Sequence, residues 1–114
     1  MIPEVDLARV QRWMKARNDA VPERVRDQIR FEMDVGARAI TIYECHPPWR
    51  EDMGPDWTRL PSARLRYTKT RSEWSLYWRD RNSMFHEYDF VPATPYVSHL
   101  LAEIDRDPTH IFWG

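Results

Sequence analysis

Hydrophobic positions along this chain change their period twice. From Leu7 the apolar residues fall at Leu7, Val10 and Met14, with Trp13 beside them, a 3.6-residue period that predicts an amphipathic helix of about four turns. Pro3 suits its start, Glu4 and Asp6 suit its positive end, and Lys15 and Arg17 its negative end, with Asn18-Asp19 as the stop. In QIRFEMDV the period becomes two: Ile29, Phe31, Met33 and Val35 alternate with Arg30, Glu32 and Asp34. Gly36-Ala37 turns the chain, and RAITIYEC alternates again, so these segments form a hairpin. After a long connection from His46 to about Pro61, three more alternating segments follow: ARLRYTK, EWSLYWRD and MFHEYDF. The helical period returns in Val97, Leu100, Leu101 and Ile104, behind Thr94 as N-cap and Pro95 as first helical residue.

The order helix, five strands, helix predicts an α+β domain. Its five-stranded antiparallel meander has one apolar and one polar face, and the N- and C-terminal helices pack together on the apolar one. At 114 residues the expectation is one domain over 1–114. Six Trp, five Tyr and four Phe supply large buried areas for so small a core. The single cysteine excludes an intramolecular disulfide, no apolar run approaches the roughly 20 residues that span a bilayer, and the N-terminus does not read as a secretory signal. Together these point to a cytoplasmic protein without a membrane partner.

Four strings deserve to be taken together: RNDAVPERVRDQIR near the start, the E-x-x-PPWR corner, EW-x-LYWR, and the terminal DPTHIFWG. With W-T-R-x-P-x-A-x-x-R-Y between them, they resemble the bacterial domain-of-unknown-function family DUF3024 over nearly the whole chain. The resemblance implies a small stand-alone bacterial protein. It brings no activity, cofactor or catalytic residue with it, and Cys45 and His46 stand in the corner where the family pattern carries charged residues, which argues against a shared metal site.

Charge is uneven although the net is only −1. Residues 59–81 hold seven Lys/Arg against Glu73 and Asp80, a local +5, and residues 82–114 hold five Asp/Glu against Arg106, a local −4. Strand parity puts Arg30, Glu32, Thr41, Tyr43, Arg64, Arg66, Thr68, Tyr77 and Arg79 on the polar face. Arginine and tyrosine on one sheet face suit single-stranded RNA or DNA, because bases stack on rings and guanidinium groups hold phosphate. Tyr43, Arg64, Arg66, Tyr77 and Arg79, with Trp49 from the connection, are therefore the ligand-binding candidates. Glu32 and Asp34 can instead neutralise the arginines across strands, leaving a solvated or dimer-facing sheet.

The corner ECHPPWRED raises a second possibility. Parity turns Glu44 and His46 to the apolar side and Cys45 away, so the three are not one chelate. His86 shares its side with Met84 and Tyr88. Glu44 with His46 or His86 as acid and base, and Arg50 for an anion, would make a small hydrolase or ribonuclease-like site. The plainer expectation is that Glu44 is neutralised at a rigid Pro47-Pro48 exit that holds Trp49 over the core edge and aims Arg50 outward or back at Glu44. His46, His86, His99, His110 and Cys45 show no zinc spacing, and no P-loop, dinucleotide fingerprint or nucleophile elbow occurs, so no metal or cofactor is expected. The apolar tail IFWG either docks on the core or binds a second copy of the chain. Glu103, Asp105 and Asp107 crowd the unfavourable end of the last helix and call for basic compensation from the third and fourth strands or a partner. The leading expectation is a binding module, with nucleic acid, a protein partner or a homodimer as its options.

Overall fold

Pro3 stands immediately before the first helix, where its missing N–H costs nothing because the first-turn N–H groups have no intrahelical partner. In the computed structural model, which describes residues 1–113 apart from the side chain of Glu51, that helix is α1 (Glu4–Asp19). It is followed by β1 (Arg30–Val35), β2 (Ala39–His46), β3 (Thr58–Thr68), β4 (Glu73–Arg79), β5 (Phe85–Glu87) and α2 (Val97–Arg106). The sheet order is β1-β2-β3-β4-β5, every neighbouring pair antiparallel, so the meander with terminal helices is the fold. Short 3₁₀ turns occupy Glu23–Val25 and Glu51–Met53.

Both helices pack on the face carrying Phe31, Ile40, Ile42, Leu65, Trp74 and Leu76, and Val10, Met14, Leu100 and Ile104 bury against it. Polar handles fix the layers. The Asn18 amide donates to the Phe31 carbonyl (2.9 Å) and accepts its N–H (2.8 Å), so the end of α1 is tied to β1 much as a strand neighbour would be. The Trp74 indole N–H reaches Asp6 of α1 at 2.9 Å.

The third strand begins at Thr58, five residues before the alternation ARLRYTK suggests. Ile42 pairs with Ala63 but Tyr43 pairs with Pro61, so Ser62 is an extra residue, a bulge that reverses parity. Thr58 to Pro61 are therefore ladder residues whose apolar and polar positions run out of phase with those after Ser62. The fifth strand is shorter than expected, with exposed Met84 ahead of it and Tyr88 beyond it, although the Tyr88 N–H still bonds the Leu76 carbonyl at 2.8 Å. The last helix starts at Val97 rather than near Pro95. Thr94 exchanges both backbone bonds with Trp74 (2.7 and 2.9 Å), so it belongs to the sheet and cannot open a helix.

The acidic end of α2 is compensated, but not by β3 or β4. Arg17 of α1 pairs with Asp105 at 3.0 Å, and Arg106 approaches Glu103 at 3.5 Å. Asp107 takes a left-handed conformation (φ 40°), and its carboxylate accepts the N–H groups of Phe112 and Trp113, each at 3.0 Å. This folds the tail back onto the core. Phe112 is only 5 % exposed and packs on Tyr88, while Trp113 meets Phe31 edge-on at 5.3 Å. Of the two fates open to IFWG, Ile111, Phe112 and Trp113 adopt docking; Gly114 lies outside the described residues.

Candidate functional site

The face of the sheet away from the helices has two halves of different character. Around β1 it is self-neutralised. Arg30 pairs with Glu32 (2.7 Å), and Arg59 pairs with both Glu32 (3.2 Å) and Asp34 (2.9 Å). The bond from Arg59 holds the Asp34 carboxyl below its ordinary pKa, and the same bond pushes the Arg59 guanidinium up. Arg59 also lies 4.0 Å over the Tyr43 ring, whose hydroxyl is pushed up by burial and then by Asp34, and Arg30 lies 4.2 Å over Trp57. Tyr43 is thus covered rather than presented. Arg59 and Trp57 were not legible as part of this face, because the bulge at Ser62 hides the strand that carries Arg59.

The β3–β4 half, which begins at Arg64 on β3, lacks this cancellation. Arg64 donates to the Thr41 hydroxyl at 3.0 Å, a neutral partner, and stacks 4.0 Å over Phe85 of β5. Arg66 is exposed and, among the described residues, makes no ion pair. Tyr77 lies opposite Arg64 in the ladder, half-buried, with Glu87 on its other side. Phe85 is the residue that sequence reading passed over; its parity, opposite to His86, was the available signal.

Arg79 ends β4. Its Nη1 reaches the Ser83 hydroxyl at 3.3 Å, its Nε is buried with no partner among the described residues, and it lines a cleft of about 260 Å3 with Glu44, Ser62 and His110.

At the corner the structure joins one of the two candidate pairs and separates the other. His46 and Glu44 share a side, as parity requires, and His46 Nε2 sits 2.7 Å from Glu44 Oε2. Glu44 is thereby partnered by its own strand. Cys45 faces the other way, fully buried, and burial followed by the charge of Glu32 pushes its thiol up. Arg50 neither returns to Glu44 nor stands free: it pairs with Asp52 at 3.3 Å and stacks 4.5 Å over Trp49. Trp49 is 76 % exposed, so it does not cover the core edge. His86 bonds Asp80 at 2.7 Å and stacks on Trp78. It stands in β5 while Glu44 stands in β2. Three inter-strand steps of about 4.8 Å put them roughly 14 Å apart in backbone terms. Glu44, His86 and Arg50 are therefore not brought together. Among the described residues no group of three or more His, Cys, Asp or Glu could hold a metal ion, and no helix is long and apolar enough to cross a membrane.

No curated protein and no solved structure matches this chain. Residues 2–114 match the family described as "Domain of unknown function (DUF3024)", and the chain belongs to that family.

Proposed function

We propose that this member of the family is a binding module that presents the β3–β4 half of its open sheet face to single-stranded nucleic acid. The observation that carries the reading is the contrast between the two halves. Arg30 and Arg59 are consumed by Glu32 and Asp34, whereas Arg64 and Arg66 have no carboxylate partner among the described residues and stand beside Tyr77 and Phe85 on the face away from the helices. Guanidinium groups there can hold phosphate while the rings offer stacking surfaces, and such recognition tolerates many sequences. Arg64 and Arg66 are two residues apart on one strand, so their side chains rise from the same face about 7 Å apart. The reading places the module in the cytoplasm, in keeping with its lone, unpaired and buried cysteine.

The test is fluorescence anisotropy with labelled single-stranded RNA and DNA across a salt series. Affinity should fall steeply with salt. The Arg64→Ala/Arg66→Ala variant should bind more weakly and lower the log–log salt slope by about 1.4, the value for two lost single-strand phosphate contacts. Binding equal to wild type with an unchanged slope would refute the reading. A second copy of the chain, or another protein, on the same face would instead appear as a mass in light scattering that depends on these arginines and not on nucleic acid.

A further inference from the structure

Two hairpin ends meet at one end of the sheet. The β1–β2 turn contributes Arg38, the end of β3 contributes Arg66, and the β3–β4 turn contributes Lys69. They are fastened together: the Tyr67 N–H donates to the Arg38 carbonyl at 2.7 Å, and Ala39 pairs with Arg66 in the ladder. Between them lies a cleft of about 240 Å3, whose walls also include Thr68 and Thr70. Among the described residues, no carboxylate lines this cleft. Among the described residues, none of Arg38, Arg66 and Lys69 makes an ion pair. At the other end of the strands, Arg30 and Arg59 are each matched to an acid.

From this we infer that the cleft is a phosphate-binding subsite. Three cations around one concavity repel one another and focus a positive potential into it, which an anion relieves. Planar guanidinium forks beside an ammonium and two hydroxyl groups can surround a tetrahedral oxyanion, for which phosphate offers more acceptors than a carboxylate. The volume corresponds to about eight water molecules, enough for a phosphate or pyrophosphate group. Phosphate can come from a nucleic-acid chain that crosses Arg64 and Arg66, or from a small phosphorylated compound. Only the first source rests on the sheet-face reading.

The test uses the full chain, 15N-labelled, titrated with pyrophosphate at constant ionic strength. Resonances of Arg38 and of residues 66–70 should shift and saturate. Arg38→Ala and Lys69→Ala should each weaken binding about tenfold or more, as expected for a lost hydrogen bond to a charged group. Arg12→Ala, which removes the same charge from the exposed side of α1, should leave it unchanged. Shifts that never saturate, or an equal loss in the Arg12 variant, overturn the subsite. A second arm compares 5′-phosphorylated and 5′-hydroxyl oligonucleotides. A preference for the phosphorylated strand that disappears in Arg38→Ala supports the subsite with a nucleic-acid end as its source. Equal oligonucleotide binding beside saturable pyrophosphate binding supports it with a small phosphorylated ligand instead. Oligonucleotide binding that needs Arg64 while pyrophosphate fails to bind overturns the subsite and leaves the sheet-face reading intact.

Discussion

Glu103 is a carboxylate in the core, and its main support is a single hydroxyl. It is 6 % exposed, and Tyr88, 2 % exposed, donates to its Oε2 at 2.7 Å. Among the described residues, the other oxygen has only Arg106, at 3.5 Å on an exposed side chain. Tyr88→Phe keeps the ring and its packing on Phe112 but leaves Oε2 without that donor. A hydrogen bond to a charged group is worth about 1.5–3 kcal/mol, and a buried acceptor left unsatisfied loses that in full. The expected cost is therefore about 2 kcal/mol, close to 8 °C in Tm for a chain of this size. Urea denaturation of the wild type, Tyr88→Phe, Glu103→Met and the double variant would measure it. Replacing both partners removes the orphaned charge, so the double variant should be more stable than the sum of the single effects implies. The hydroxyl also carries a pH signature. Burial, then the bond to Glu103, pushes the Tyr88 pKa from its ordinary 10.0 up to about 12. A raised pKa means stability that is complete below pH 10 and is lost as pH rises towards 12. Tyr88→Phe should abolish that portion of the alkaline loss. Additive single effects, or a Tyr88→Phe cost below about 0.5 kcal/mol, would refute the account of Glu103 as a carboxylate dependent on this bond.

The docked tail makes a stability claim where an exposed one would make an assembly claim: Phe112→Ala should cost about 3 kcal/mol or more in chemical denaturation, the range for a buried Phe. If the tail instead held a second copy, the variant would change solution mass at unaltered stability. Cys45 is fully buried and its thiol is pushed up, so a thiol reagent at pH 8 should find no reactive group in the native protein and one in denaturant. Rapid native labelling would contradict the placement of β2.

Much of the architecture is local in origin and can be read from spacing. The two-residue alternation in QIRFEMDV and RAITIYEC assigns Phe31, Ile40 and Ile42 to the core and Arg30, Glu32 and Thr41 to the open face, because neighbouring side chains in a strand point oppositely. The same rule separates Cys45 from Glu44 and His46. It fails at Ser62, where one extra residue reverses parity and conceals both the first half of β3 and Arg59. Helix signals fail likewise at Thr94, whose backbone bonds go to a strand more than a dozen residues away.

Partnerships are a different matter, since they depend on register and on which elements become neighbours. Nothing in the order of residues tells that Arg17 of α1 rather than an arginine of β3 or β4 answers Asp105, or that Tyr88 supports Glu103. The same holds for the charged face. Composition shows a basic middle; only the ladder shows that Arg59 is spent on Glu32 and Asp34 while Arg64 and Arg66 are not. Arg38 lies 31 residues from Lys69 in the chain (69 − 38), and the two share a cleft because antiparallel pairing brings their turns to the same end of the sheet. Periodicity thus determined the strands, their faces and the helices, since these depend on each residue's immediate neighbours. The tertiary structure decided which charges are cancelled and which, among the described residues, are left without an ion pair, since that depends on distances between residues far apart in sequence.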